Sequence, residues 1–401
     1  MPRAAYVCYF GLREPLVQTQ VLPYLRELVA CGVTMSLLTF EPARWDAESS
    51  AEWRERLRAD GIAWSTLRYH KRPSLFATLY DIAAGAWHLR RERFDIVHGR
   101  SHVGAAIGAL ARGRLRGGPS WDKLSACRLI FDIRGLLAEE YVDSGNWRAG
   151  GLLFRLTKMA ERRLLRSADG FVVLTEKARA MLFPNGASRP VEVIPCCVDR
   201  ERFAAAHRTN LGIANRTVFV YAGALGGGSY VTRELAELLA VARDADRSVF
   251  ALVLTQSPPQ PVSDELERVG FTRDDYRVLH APPEDVPGYL LASDVGLLLI
   301  RPSFARLAAS PTKFAEYLAA GLPVIATRGI GDLNAQIEER RVGVLLRSFD
   351  HDAYAEAIAA MNVLRLDPEL AARCRELSRE YDLHAVGGAR YRRLYDAVLH
   401  R

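Results

Sequence analysis

The chain has 401 residues and a mass of 44.6 kDa, too long for one compact core and suited to two domains of ordinary size. Its 49 % apolar and 25 % charged content excludes wholesale disorder and fibrous repeats. The net charge of +7 favours an anionic partner, a phosphate-bearing ligand or an acidic bilayer surface, and without any RNA- or zinc-finger-type signature nucleic acid is not expected.

Short apolar runs bounded by turn residues alternate with longer helical patterns, the signature of α/β architecture with parallel sheets. In the first half, strands are expected at Ala4 to Phe10, Thr34 to Phe40, Ile96 to His98, Arg128 to Phe131, Gly170 to Leu174 and Val191 to Ile194. A helix from about Val17 to Ala30 separates the first two, with Gly32 at its stop. The polar, alanine-rich stretch Asp199 to Arg216 reads as a connection, which places a domain boundary near residue 205. The second half repeats the pattern with strands Val218 to Ala222, Phe250 to Leu254, Arg277 to Leu279, Val295 to Ile300 and Pro323 to Ala326. The six cysteines lack CxxC spacing or a histidine cluster, so they read as reduced thiols with no metal site and no disulfide framework. No apolar stretch is long enough to span a membrane, and a cytoplasmic location is expected.

Ligands of open parallel sheets bind beyond the carboxyl ends of the strands, so the loops there are the places to search. The first carries Gln18 and Gln20 at a helix start, as a site or as a polar cap. The loop His98-Gly99-Arg100-Ser101-His102 gathers two imidazoles, a guanidinium and a hydroxyl directly after a strand. Asp132-Ile133-Arg134-Gly135, followed by Glu139 and Glu140, sets an arginine among carboxylates, as a site or as a buried ion-pair network.

In the second half, Gly223, Gly226, Gly227 and Gly228 lie between a strand and a helix that begins near Thr232. Glycines there let backbone amides approach phosphate oxygens, although the spacing is neither GxGxxG nor a P-loop. The densest signal runs from Ser310 to Thr327. Ser310, Pro311 and Thr312 start a helix, and Lys313 lies at its positive end, where amides and ammonium together would hold a diphosphate. Glu316, one turn on, suits two ribose hydroxyls, and Gly321-Leu322-Pro323 ends the helix; the plain alternative is a solvated Lys313–Glu316 pair.

On Phe94 to His98, Gly170 to Thr175, Val193 to Asp199 with Phe203, and above all Lys313 to Thr327, the sequence resembles the large retaining family of GT-B glycosyltransferases. The resemblance implies two Rossmann-like domains facing each other across a cleft: residues 1–205 binding the acceptor, 206–383 binding the nucleotide sugar, and a final helix, about 384–401, packing back on the first. It implies transfer of a sugar from a nucleotide diphosphate donor to a saccharide, lipid-linked or small-molecule acceptor, with retention and without a metal or other cofactor. The pathways implied are glycan, lipid-linked saccharide or natural-product biosynthesis.

Carried over, Glu316 holds the donor ribose and Asp332 falls where the family often has a glutamate near the donor sugar. The family usually has two glutamates eight positions apart, and Ala308 stands at the first place. The arginine and lysine common after the first strand of the second domain are missing, which leaves the positive field to Lys313, Ser310, Thr312 and Arg301. Arg134 replaces a frequent histidine. Gln18, Gln20, Arg100, His102, Arg134 and Glu139 are the expected acceptor side, and Lys313, Glu316, Arg134 and His102 the expected catalytic group. A GT-B-shaped epimerase using Asp132, Glu139 or Glu140, and a catalytically silent binding subunit, are the alternatives.

From Trp147 to Arg166 there are six basic residues and one acidic. At 100° per residue, Arg148, Arg155, Lys158, Arg162 and Arg166 share one side of a helix, and Leu152, Leu153, Leu156, Ala160 and Leu164 another. The pattern fits a helix lying on an anionic inner membrane face, or one packed on the sheet with a solvated arginine face.

Overall fold

The computed structural model describes residues 1–70, 72, 74–112, 127–225 and 231–400. Two compact units emerge: Met1–Glu139 with Arg148–Pro195 and Leu383–Arg401, and Glu140–Trp147 with Cys196–Asp382. The division falls at Pro195–Cys196, ahead of the boundary expected near residue 205.

The first unit is built on seven strands: β1 (Arg3–Cys8), β2 (Thr34–Glu41), β3 (Ile62–Arg68), β4 (Ile96–Arg100), β5 (Arg128–Asp132), β6 (Gly170–Val173) and β7 (Val191–Val193). They pair in the order β3-β2-β1-β4-β5-β6-β7, every pair parallel. The connecting helices are α1 (Pro15–Gln20), α2 (Leu22–Ala30), α3 (Ala47–Ala59), α4 (Ser74–Leu89), α5 (Ser101–Ala111), α6 (Leu137–Asp143), α7 (Leu152–Ser167) and α8 (Glu176–Leu182). The one helix expected from Val17 to Ala30 is two. Pro23, which cannot donate a backbone hydrogen bond, opens α2, and the chain bends at Val21 with φ −126°.

The second unit holds β8 (Thr217–Ala222), β9 (Val249–Leu254), β10 (Tyr276–Leu279), β11 (Val295–Leu298), β12 (Val324–Thr327) and β13 (Gly343–Leu346), in the parallel order β10-β9-β8-β11-β12-β13. Its helices are α9 (Arg200–Ala205), α10 (Thr232–Ala245), α11 (Gln260–Arg268), α12 (Val286–Leu291), α13 (Thr312–Ala320), α14 (Leu333–Arg340), α15 (His351–Leu364) and α16 (Leu370–Leu377). Side chains alternate between two buried faces: Val218, Val220 and Ala222 of β8 enter one core, Phe219 and Tyr221 the other. Strands β3 and β13 were not expected from the sequence. Both are sheet edges whose residues are mostly half-buried; β3 mixes polar with apolar residues, and β13 is a run of only four residues.

All six cysteines are unpaired, and among the described residues no helix is long and apolar enough to cross a membrane. The final helix, α17 (Ala389–Leu399), belongs to the first unit and packs on β6 and β7. Its tyrosines enter a buried polar network at the ends of β4 and β5. The Tyr395 hydroxyl lies 3.0 Å from His98 Nδ1, and Tyr391 donates to Asp132 Oδ2 at 3.3 Å. Arg134 grips the Asp132 carboxylate at 2.9 Å and donates to the Tyr391 hydroxyl at 2.7 Å. Arg100 Nη1 is 3.8 Å from the same carboxylate and donates to the Tyr6 hydroxyl. Burial alone would raise the Asp132 carboxyl, but Arg134, His98 and Arg100 outweigh it and hold it well below the usual range.

Removing this carboxylate strands two buried guanidinium groups. Asp132→Asn is therefore expected to cost about 3 to 5 kcal/mol, and Tyr395→Phe, which takes one hydroxyl from His98, about 1 to 3 kcal/mol. Denaturant unfolding followed by tryptophan fluorescence, which arises almost wholly in the first unit, measures both. The Asp132 carboxyl titrates lower in the folded chain than its unfolded value of about 3.9. Its stabilisation is thus complete above that pH and is lost as the pH falls, so the asparagine variant should show a flatter acid limb.

Candidate active site

At the end of β8 the chain turns through Gly223 at φ +137°, a conformation that favours glycine. A Cβ on Gly223 would lie 2.9 Å from the Nζ of Lys313, so the missing side chain makes room for the ammonium. Below it, the Tyr221 ring centroid is 3.8 Å from Nζ, a close cation–π contact. Tyr221 is itself fixed by donating to Ala224 O at 2.9 Å, and Ser257 holds the Leu225 backbone at both N and O. Among the described residues Nζ is buried without a hydrogen-bond partner, and burial pushes the amine down to about 7 against the weaker pull of Glu316.

Lys313 stands on the first turn of α13, whose N-terminus has no side-chain cap and whose end is set by Gly321 in the left-handed region. The Tyr317 hydroxyl ties this helix to the sheet, accepting from the Ala222 amide at 2.9 Å and donating to Leu297 O at 3.2 Å. Glu316 is half-buried, and burial raises its carboxyl against the opposing charges of Arg202 and Lys313. A solvated ion pair at 313 and 316 is not what forms. The charged end of Lys313 is enclosed.

Of the other residues expected on the donor side, Ser310 accepts the Cys196 amide at 3.0 Å, Arg301 pairs with Glu234, and Asp332 precedes α14 as its N-cap. Thr312 is the first residue of α13 and Ala308 is buried. Gly226, Gly227 and Gly228 lie outside the described residues.

In the first unit, the turn from β4 into α5 is sharp. A Cβ on Gly99 would lie 2.3 Å from Ala105 N, and Ser101 opens the helix at φ +61°, a strained position for a residue other than glycine. His102 follows, buried, with Nε2 3.1 Å from Glu161 Oε2. Lys158 donates to Glu161 at 2.5 Å and lies 3.0 Å from Glu139, so His102, Glu161, Lys158 and Glu139 form one chain of contacts. These acids outweigh desolvation and raise the Lys158 amine, while His102 and Lys158 lower the Glu161 carboxyl against its burial. Lys158 therefore faces inward and is not part of the exposed basic stripe expected on this helix.

Gln18 donates to Leu12 O at 2.5 Å, and Gln20 is buried. Arg100 is enclosed, 3 % exposed, with its charge turned to Asp132 and Tyr6. Asp132 and Glu139, two of the carboxylates an epimerase would use as proton carriers, are both engaged in ion pairs. Tyr221, Glu161 and Lys158 were not singled out as partners by sequence, because each is brought to its contact by the fold and carries no local pattern.

Residues 17–197 match the Glycosyl transferase 4-like domain family, and residues 216–362 match the Glycosyl transferases group 1 family. No curated protein matches the chain as a relative. Among solved structures, a glycosyltransferase from Rickettsia africae is similar over 99 % of this chain and 98 % of its own, with 15 % identity and a TM-score of 0.70. The sucrose-phosphate synthase of Thermosynechococcus elongatus matches over 99 % and 100 %, at 15 % identity and a TM-score of 0.68. An Anabaena protein in complex with UDP-glucose matches over 99 % and 100 %, at 14 % identity and a TM-score of 0.65. At these identities the likeness shows the fold, two parallel-sheet α/β domains of the GT-B kind. With its two domains matched by these two families in chain order, the protein belongs to the group 1 glycosyltransferases and is a transferase.

Proposed function

We propose that this glycosyltransferase moves a sugar from a nucleoside diphosphate sugar to an acceptor hydroxyl with retained anomeric configuration and without a metal. The observation that carries the reading is the buried, unpartnered Lys313 ammonium on the open N-terminus of α13. A diphosphate is the ligand that would satisfy the ammonium and the helix amides together. The Anabaena neighbour's complex with UDP-glucose supports a uridine diphosphate donor. As the bond from the sugar C1 to phosphate oxygen breaks, negative charge grows on the leaving diphosphate. Lys313 and the amides of α13 meet that charge. The acceptor oxygen bonds to C1 on the same face, and its proton passes to the departing phosphate oxygen. Glu316 holds the donor ribose, Asp332 the donor sugar, and His102 with Arg134 positions the acceptor. The acceptor is a saccharide, lipid-linked or small molecule met on the cytoplasmic side, with peripheral contact to an anionic membrane surface.

UDP-glucose affinity should fall as the pH rises above about 7, the value to which burial brings the Lys313 amine. Above it the amine must take up a proton to meet the diphosphate, and the loss approaches about tenfold per pH unit. Lys313→Met should weaken binding and flatten the profile, read by calorimetry at several pH values. A wild-type affinity that stays level through this range would overturn the assignment.

Glu316→Ala should raise the donor Kd roughly tenfold to a hundredfold, the worth of a charge-assisted hydrogen-bond pair. Its melting temperature should change little, since the carboxylate is not part of the packed core. Unchanged affinity would remove Glu316 from the ribose.

A further inference from the structure

Among the described residues sixteen large apolar side chains are exposed, and nine of them belong to two helices of the first unit, α4 and α7. On α4, Leu75, Phe76, Leu79, Tyr80 and Trp87 recur at helical spacing along the outer face, with Phe76 72 % and Trp87 63 % exposed. A helix this apolar is ordinarily buried on all sides, yet among the described residues nothing covers its outer side. On α7 the exposed apolar residues are Leu152, Leu153, Leu156 and Met159. Both helices pack against α5, so their outer faces open on the same side of the sheet. Between them α5 presents the half-buried Val103, Ala106, Ala109 and Leu110, with Ser101 at its start.

We infer that the outer faces of α4 and α7 form one docking surface for an anionic bilayer leaflet. Charge selects this occupant. On α7, Arg155, Arg162, Arg163 and Arg166 are exposed beside the apolar residues, while its only acid, Glu161, is buried. On α4 the only acid, Asp81, is also buried, held by Tyr9 and His70. The face is therefore apolar and cationic with no exposed carboxylate on either helix. A second copy of this chain set against it would bring arginines against arginines. An acidic headgroup layer over hydrocarbon complements both properties. Tyr80 and Trp87 suit the interface, and Arg91 lies 3.6 Å over the Trp87 ring with its charge near the apolar edge. The inference deepens the proposed peripheral contact and adds α4, whose sequence shows no amphipathic signal.

The test uses the full chain and vesicles of phosphatidylcholine with and without phosphatidylglycerol, at low and high salt, with no donor or acceptor. Wild type should sediment with the anionic vesicles only and be released by salt. Phe76→Ser, Leu79→Ser and Trp87→Ser together should weaken partition at least about tenfold. Arg155→Gln, Arg162→Gln, Arg163→Gln and Arg166→Gln together should weaken it roughly a hundredfold or more. UDP-glucose binding and melting of each variant report the fold and the donor site separately, so a failure here is distinguishable from failure of the transfer reading. Wild type that ignores both vesicle types, binds them equally, or is matched by either variant would overturn the inference. So would a wild-type dimer made monomeric by the α4 substitutions, which would assign the face to a second copy.

Discussion

An ammonium group taken out of water without a carboxylate beside it is the constraint around which the second unit's site is arranged. Among the described residues Lys313 makes no ion pair, and its nearest charged neighbour in sequence, Glu316, only partly offsets its desolvation. A buried cation of this kind costs stability unless something polarisable or anionic meets it. The Tyr221 ring face supplies part of this, and the absent Cβ at Gly223 admits Nζ to it. Arg301, the other cation expected to meet a diphosphate, is paired with Glu234. The geometry is settled by packing and the charge is left over. A low-dielectric surround makes that charge more effective on a diphosphate than an exposed lysine would be.

The first unit treats its buried charge in the opposite way. Asp132 is fully enclosed, but Arg134, Arg100, His98 and two tyrosines, Tyr6 and Tyr391, converge on it, Tyr395 holds His98 from behind, and the carboxylate stays ionised. Tyr391 and Tyr395 come from α17, near the C-terminus, so the last helix is part of the support for the ends of β4 and β5. Such a compensated network fixes positions and offers little unspent charge. Arg134 and Arg100 are accordingly better placed to shape the strand ends than to seize an anion, while His102, one residue past the strained Ser101, is held by the separate contacts with Glu161.

Much of the fold was legible because parallel strands buried on both faces leave continuous apolar runs. The edge strand β3 interleaves Ser65 and Thr66 with its apolar residues and was lost for that reason, while β13, four residues long, was also missed. The candidate site was legible at Lys313 and Glu316 because helix start, charge and Gly321 stop fall within one short stretch. The Tyr221 face and the turn at Gly223 were not, since φ and ring contacts belong to tertiary structure. The exposed face of α4 was hidden for a different reason: apolar residues on every side of a helix read as core, and only solvent exposure distinguishes an uncovered side from a covered one.

Helix α7 shows why periodicity alone misplaced a charge. An amphipathic pattern predicts that the leucines turn inward and the cations outward, and Lys158 was grouped with the arginines on that basis. The helix is instead oriented by polar contacts on its inner side, Glu161 to His102 and Lys158 to Glu139 and Glu161, with Leu164 buried beside them. Leaving Glu161 inside without Lys158 and His102 would strand a buried carboxylate, a larger cost than exposing a few leucines to water. Once that side is fixed, the 100° step places Leu152, Leu156 and Met159 outside, among Arg155, Arg162 and Arg163. The same contacts that hold His102 at the end of β4 therefore determine which residues α7 presents to its surroundings.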